Sequence, residues 1–364
     1  MSALMLLFSF VLFDAEFVKT LLDCDEAAWQ KLGDETIPPK NDVETFAELA
    51  DKLARFVPKS LLKENAEYLK GRIVAVEKYE GKVPVFRLDI ESAIIFSPSV
   101  PEAWKQGDRI AAFGVYIKSY NTSIFVAPAI EWYPDTWLGN LGFDVGSFDR
   151  VPVSRVIEAE QNDEETNRRL FKFTELDNAP FYGLLRAVSA TPDGYLEESA
   201  KKQHAETPFS VTDLFNHPAE TRGKPVLLSG TAKRIVPTPV TDSEMLSLFG
   251  IDHYYQIYLF TEQSQGNPIV VCVHSLPEGM PMGDADDFAE QITVAAVPYK
   301  LWIYETQEGQ HYAPVLIGRS PVWHPKLAEQ RQAPEWVQTM SVTLFFTLAL
   351  IWFACRFWAR RSSI

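Results

Sequence analysis

The sequence predicts a mainly β protein with helical connectors, an α+β chain in which two OB-like five-stranded barrels stand in tandem ahead of one C-terminal transmembrane helix. Three observations support this architecture. Apolar residues alternate with period two in two separate regions, an ordered series of matches relates those regions, and a run of 20 residues without charge lies near the C-terminus. Period-two alternation is typical of strands, and about 20 apolar residues can span a bilayer as a helix.

The predicted domain organisation has seven segments. These are an N-terminal apolar segment and helical region (1–69), a first OB-like β domain (70–134), a helical or irregular connector (135–221), a second OB-like β domain (222–325), a juxtamembrane linker (326–335), the transmembrane helix (336–355) and a basic tail (356–364). A chain of 364 residues has room for two ordinary domains plus connectors. With 46% apolar and 23% charged residues, the composition is that of a packed globular protein.

The N-terminal region begins with a charge-free apolar run over residues 1–13. No basic residue precedes this run and no small-residue cleavage site follows it, so an export signal, a misassigned start and a helix packed on the body all stay open. Further along, Asn41-Asp42-Val43-Glu44 resembles a capping box, and apolar residues follow at helical spacing as far as Phe56. This pattern predicts an amphipathic helix that ends before Pro58.

Five strands are predicted in each β region. The candidate strands of the first region are residues 73–76, 83–90, 93–96, 109–120 and 123–132. Those of the second are residues 226–235, 253–261, 269–274, 292–302 and 312–317. In the connector between them, Asn178-Ala179-Pro180 can start a helix.

The two β regions match each other at five places in the same order, which indicates an internal duplication. The matches are Lys70-Gly71-Arg72 with Arg222-Gly223-Lys224, Ser99-Val100-Pro101-Glu102 with Ser275-Leu276-Pro277-Glu278, residues 110–118 with 292–300, Ala127-Pro128 with Ala313-Pro314, and Trp132-Tyr133-Pro134 with Trp323-His324-Pro325. Each region has the layout of an OB-like barrel: three strands come first, a crossing follows at the Pro-Glu element, and two further strands complete the region. A pair of small β-sandwiches is the alternative fold for the same strands.

The duplication also provides the candidate ligand-binding residues. Lys118 and Lys300 occupy matching positions, and each is followed two residues later by an aromatic residue, Tyr120 or Trp302. A lysine beside a ring can hold an anionic or stacking ligand, as OB folds often do. The alternative interpretation is closure of the core, with the rings packed inside and the tip of each lysine in solvent.

The predicted transmembrane helix begins at Trp336 and ends at Cys355. At 1.5 Å per residue it matches a hydrocarbon core of about 30 Å, and aromatic residues stand at both of its borders. A buried helix of a soluble core is the alternative. The excess of basic residues after the span predicts a cytoplasmic C-terminus and a periplasmic or extracytoplasmic body. Because that excess is small, the inverted orientation stays open.

The connector and the second β region resemble a family of uncharacterised planctomycete-type bacterial membrane proteins with tandem OB-like β domains. The resemblance rests on four segments between residues 138 and 325. They are residues 138–145, residues 181–185, Thr221-Arg222-Gly223 and residues 313–319. Members of that family look like exported or membrane-anchored β domains of unknown role, so the resemblance implies a bacterial envelope location and provides no catalytic residues.

The net charge and the absence of known motifs narrow the range of possible functions. The formal net charge is −15, and three positive charges lie in the tail, which leaves −18 for residues 1–355. Such a body repels phosphates on average, which disfavours nucleic acid as a partner. The six histidines show no metal-binding spacing, and no phosphate loop, nucleophile elbow or dinucleotide motif is present. Asp284-Ala285-Asp286-Asp287 fits a solvated acidic turn better than a calcium loop. Cys272 and His274 lack a third orienting group.

These observations predict a non-enzymatic interaction or scaffold protein without cofactor, anchored to membrane lipid by its single C-terminal helix. Its partner would be a protein or an envelope polymer. One alternative is an oligosaccharide- or oligonucleotide-binding OB module. The other is an enzyme whose site is assembled from distant residues.

Overall fold

The computed structural model describes residues 15–153, 174–306 and 309–325. The α-helices are α1 (Ala15–Leu22), α2 (Glu26–Leu32), α3 (Val43–Phe56), α4 (Lys59–Asn65), α5 (Trp137–Asn140), α6 (Glu175–Ser189), α7 (Tyr195–Glu206), α8 (Asp213–Asn216), α9 (Pro218–Thr221) and α10 (Ser243–Phe249). The strands are β1 (Glu67–Tyr79), β2 (Val85–Ile90), β3 (Ala93–Ser97), β4 (Arg109–Tyr120), β5 (Thr122–Val126), β6 (Glu131–Tyr133), β7 (Val226–Pro239), β8 (His253–Phe260), β9 (Ile269–Val273), β10 (Glu290–Thr306), β11 (Gly309–Gly318) and β12 (Val322–His324).

The strands form two six-stranded sheets in tandem, which confirms the α+β class and the two β regions. In the first sheet, β1 pairs with both β2 and β4, so the order β1-β2-β3-β5-β4 closes on itself into a ring. The second sheet repeats this order as β7-β8-β9-β11-β10, again with β7 pairing at both ends. In each ring the third and fifth strands are parallel and the other pairs are antiparallel.

Each sheet has one strand more than predicted. The predicted strand at 123–132 is in fact two strands, β5 and β6, and β6 pairs with β4 outside the ring. In the second sheet β12 pairs with β10 in the same way. One helix start also differs from the prediction. Helix α6 begins at Glu175 with a capping box between Thr174 and Asp177, so that Pro180 lies inside it.

The register of the strands fits an internal repeat and corrects two of its matches. Ile110 and Ile292 both pair with a tryptophan of the sixth strand, and both Lys118 and Lys300 follow a β-bulge. Ile110 pairs with Gly71 in the first sheet, and Ile292 pairs with Gly230 in the second, so the counterpart of Gly71 is Gly230. The predicted match of Gly71 with Gly223 is therefore wrong.

The close approach of neighbouring strands explains why a glycine stands at both positions. A Cβ on Gly71 would lie 3.0 Å from the side chain of Ile90 at the end of β2, and a Cβ on Gly230 would lie 2.3 Å from the carbonyl oxygen of Phe260 at the end of β8. The match of Ala127-Pro128 with Ala313-Pro314 is also wrong, because the first pair follows β5 whereas the second lies inside β11.

Each sheet is covered by a helix that precedes it in the chain. Helix α3, which the sequence predicted, packs on β2, β3 and β5, with Phe46 and Leu49 fully buried. Helix α6 packs on β9 and β11, the strands that correspond to β3 and β5. The other face of each sheet forms the second apolar core within the same unit. Two helix–sheet units of the same design therefore follow each other along the chain.

The predicted membrane segment lies outside the described residues, as do residues 1–13. Within the described ranges, no helix combines the length and the apolar character needed to cross a bilayer.

Candidate functional site

The two candidate lysines are fully buried and form ion pairs with aspartates. The amino group of Lys118 lies 2.6 Å from a carboxylate oxygen of Asp42, just before α3, and that of Lys300 lies 2.8 Å from a carboxylate oxygen of Asp177, in the first turn of α6. Both lysine side chains are 0% exposed. The expectation of solvated lysine tips is therefore wrong, and any anionic ligand would have to displace a carboxylate of the chain itself.

The aromatic neighbours of the lysines lie in the same cores. Tyr120 is half-buried against the core between α3 and its sheet, and Trp302 is half-buried against the core between α6 and its sheet. Sequence reasoning missed Asp42 and Asp177 as the partners. The sequence pattern predicts a capping box that includes Asp42, but the side chain of Asp42 makes no capping hydrogen bond and instead binds Lys118.

The surroundings of Lys300 form a small polar network inside the second unit. The Tyr299 hydroxyl donates a hydrogen bond of 3.1 Å to the carbonyl oxygen of Asp177, whose carboxylate also accepts from the backbone N–H of Thr174. Burial lowers the pKa of Lys300, whereas the hydrogen bond and the negative charge of Asp177 act in the opposite direction. This network joins the start of α6 to β10, so its chemistry is that of a structural clamp.

The Cys272 and His274 pair does not form a nucleophile site. Cys272 is buried beneath α6, and burial raises the pKa of its thiol to about 12, so the reactive thiolate is scarce at neutral pH. His274 lies beyond the end of β9 and is exposed. No group of three or more metal-ligating side chains occurs in the parts of the chain that the structure covers.

A groove of about 690 Å³ lies in the second unit, beside the first half of β7. Its walls come from the last turns of α7, from the segment between α7 and α8, from residues 226–229 of β7 and from residues 261–263 after β8. Sequence reasoning did not find this groove, because residues distant in the chain form it and none of them belongs to a motif.

An open strand edge runs along the groove. Residues 226–232 of β7 pair with β10 on one side, but pairing with β8 on the other side begins only at Thr231. Residues 226–230 therefore have one edge that pairs with no strand among the described residues. Because residues 226–229 line the groove, backbone donors and acceptors are available there to a chain lying alongside.

Local hydrogen bonds fix the walls of the groove. The backbone N–H of Phe209 donates to Nδ1 of His204 over 3.1 Å, which holds the end of α7 against the following segment. The backbone N–H of Val211 donates to the side-chain oxygen of Gln263 over 3.2 Å, which ties that segment to the connection after β8. Phe209, Val211 and Val226 give the groove an apolar floor that continues into the core of the sheet.

Charged side chains of both signs also line the groove. Lys201 and Lys224 contribute positive charge, and Asp213, Glu220 and Glu262 contribute negative charge. The carboxylate of Asp213 accepts from the backbone N–H of Ser210 at the start of α8. An apolar floor, mixed charges and an open strand edge suit the binding of an extended peptide.

Comparison with known proteins gives no relative from which a function could be transferred: no protein-family model matches the chain, and no curated protein matches it significantly.

Proposed function

We propose that this chain is a membrane-anchored, non-enzymatic interaction or scaffold protein built on two OB-like barrels, and that the groove beside β7 binds an extended segment of a partner protein. The open edge of β7 inside the groove is the observation that carries the binding proposal. The same features that made the sequence resemble planctomycete-type membrane proteins favour a bacterial envelope location.

The strand order supports the assignment of OB-like barrels. A five-stranded ring in which the first strand pairs with the second and the fourth, and the third runs parallel to the fifth, is the arrangement expected of such a barrel. Each region forms one sheet, whereas a sandwich requires two. In both rings the first strand contains a bulge, between Ile73 and Ala75 in β1 and between Ala232 and Arg234 in β7, where the strand can bend from one partner to the next.

Strand addition explains why a partner segment would bind in this groove. A bound peptide in extended conformation would continue the sheet along residues 226–230, and its alternate side chains would meet the apolar floor. Gly230 marks the point where β8 takes over as the partner of β7, because the carbonyl of Phe260 approaches it closely there. A bound strand would therefore extend over about five residues before it met the end of β8.

The proposed anchor is the helix from Trp336 to Cys355, oriented with the body outside the cytoplasm. Its support is the uncharged length of the segment and the arginines that follow it. If full-length protein is found in the supernatant after alkaline extraction and high-speed centrifugation of membranes, the anchor is wrong. Protease accessibility in spheroplasts, from which the outer layers of the envelope have been removed, and in lysed spheroplasts tests the orientation, and digestion of the body only after lysis would overturn it.

Peptide display against the purified full-length chain in detergent tests the groove. Ala205→Trp places a bulky side chain at an exposed position in the groove, and Lys202→Trp is the matched control at an exposed position of α7 that does not line it. We expect the enriched peptides to bind wild type and the Lys202 variant with equal affinity and to bind the Ala205 variant roughly tenfold or more weakly. In wild type, bound peptide should slow amide hydrogen exchange at residues 226–229.

Two results would overturn strand addition in the groove. One is the failure of any peptide to enrich over the Ala205 variant. The other is protection from exchange that falls elsewhere on the chain while residues 226–229 exchange as they do without peptide.

A further inference from the structure

The outer face of β7 and β8 carries two cations stacked on two aromatic rings. The Lys233 amino group lies 4.8 Å from the centre of the Phe260 ring, and the Arg234 guanidinium lies 5.1 Å from the centre of the Tyr258 ring. Both cations are exposed, and both rings are half-exposed. We call these four residues the cation–aromatic strip.

Strand geometry makes the strip a continuous surface. Arg234 and Tyr258 are direct cross-strand partners, and Phe260 lies two residues beyond Tyr258 on the same face of β8. Alternate residues of a strand are about 7 Å apart, so the two rings are spaced along one line. Gln256, the next residue on this face, is half-exposed and adds an amide to it.

The strip differs from the rest of this acidic body in its charge balance. Neither Lys233 nor Arg234 forms an ion pair with a carboxylate in the described portion of the chain, although residues 1–355 carry a net charge of −18. On the matching face of the first sheet, Arg87 is neutralised by two hydrogen bonds to Asp89, of 2.8 and 3.1 Å. Lys78, which also lies over a ring, pairs with Glu80 at 2.6 Å.

We propose that the cation–aromatic strip is a binding site for an acidic oligosaccharide, a chain of pyranose rings that bear carboxylates. Arg234 and Lys233 would bind the carboxylates through charge-assisted hydrogen bonds, and the exposed parts of Tyr258 and Phe260 would contact the apolar C–H surfaces of the sugar rings. Since each cation already rests on a ring, fixing its side chain on a ligand costs less conformational entropy than for a free lysine or arginine.

The small number of cations favours a short acidic sugar chain over nucleic acid. Affinity for nucleic acid comes from many phosphate contacts along its path, whereas two neighbouring cations can bind the carboxylates of a short sugar chain. Tyr258 also packs against the core beneath α6, so the strip lies beside the part of the face that this helix covers. The site is separate from the groove beside β7, so it adds a second ligand class to the proposed interaction protein.

Calorimetric titration of the full-length chain in detergent with a short oligogalacturonate tests the proposal. The comparison ligands are the same oligomer with its carboxylates methyl-esterified and an oligothymidylate of equal charge. The variant is Lys233→Gln/Arg234→Gln, and the matched control is Lys78→Gln, which removes a ring-stacked lysine that has a carboxylate partner.

We expect the acidic oligomer to bind wild type and Lys78→Gln equally, and esterification or the double substitution to weaken binding by roughly tenfold or more. Circular dichroism of the double variant should be unchanged, because both replaced side chains are exposed. Failure of the acidic oligomer to bind, equal binding by the double variant, or tighter binding of the oligothymidylate would each overturn the proposal.

Discussion

Removal of the positive charge of Lys300 should open the second unit. Lys300 and Asp177 have side chains that are 0% and 1% exposed, so solvent screens neither charge. Loss of one partner from a buried ion pair typically costs about 3–5 kcal/mol, because the other charge stays buried without compensation. Lys300→Met should therefore destabilise the contact between α6 and its sheet by that amount, and Asp177→Asn should do so by a similar amount.

Cys272 provides a local assay for this effect. Its thiol is buried beneath α6, so a thiol reagent can reach it only when this region opens. With Cys24 and Cys355 replaced by serine, no other cysteine remains in the chain. A destabilisation of about 3–5 kcal/mol should raise the labelling rate of Cys272 roughly a hundredfold to a few thousandfold when closing is fast.

A double-mutant cycle separates the ion pair from general damage. In Lys300→Met/Asp177→Asn both charges are gone, so labelling should be much slower than in either single variant. Lys78→Met breaks an exposed ion pair and should leave the rate within about threefold of the parent. The reasoning is refuted if Lys300→Met also stays within that range, or if the effects of the two single substitutions simply add in the double variant.

Two further substitutions test other features. Burial raises the pKa of the Asp144 carboxyl from 3.8 to about 6, so its contribution to stability is complete below about pH 4 and is lost as the pH rises through 6. Asp144→Asn removes the buried negative charge and should therefore raise the free energy of unfolding by up to about 3 kcal/mol at pH 7.5 but not at pH 4. Thermal unfolding at the two pH values measures this difference. A loss of stability at pH 7.5 would contradict the prediction. Gly230→Ala would put a Cβ 2.3 Å from a backbone oxygen of β8 and should lower the free energy of unfolding, measured with denaturant, by about 1–3 kcal/mol or more. The control is Gly81→Ala, whose Cβ would lie 3.7 Å from its nearest atom and should leave stability almost unchanged. Equal stability of the two variants would contradict the argument.

The sequence allowed the two β regions and most strand positions to be predicted because alternation of apolar residues reflects burial directly. The match of residues 110–118 with 292–300 has the correct register, since a bulge and a buried lysine occupy the same place in β4 and β10. The match of Gly71 with Gly223 failed because it relied on neighbouring basic residues that have different surroundings in the two units. Lys70 and Arg72 are exposed on β1, whereas Arg222 lies before β7, is half-buried and donates hydrogen bonds to two backbone carbonyl oxygens. The glycine that corresponds to Gly71 is fixed by a close strand approach that only the structure reveals.

The candidate sites were harder to predict. The sequence identified Lys118 and Lys300 as a matched pair, but the partners of these lysines lie 76 and 123 residues earlier in the chain. Such long-range pairs leave no local pattern. The groove beside β7 depends on the point at which β7 changes partners, and the cation–aromatic strip depends on cross-strand register. Both features follow from how strands meet, which one-dimensional periodicity does not specify.

The order of helix and sheet along the chain has a consequence for biosynthesis. On the ribosome, α3 and α6 emerge well before the strands they cover, and Asp42 and Asp177 emerge before the lysines that neutralise them. Neither unit can complete its interior until its fifth strand, β5 or β11, has been translated, so each folds as a whole late in its own synthesis rather than element by element. Nascent chains that end before β5 or β11 should therefore bind chaperones and remain sensitive to protease.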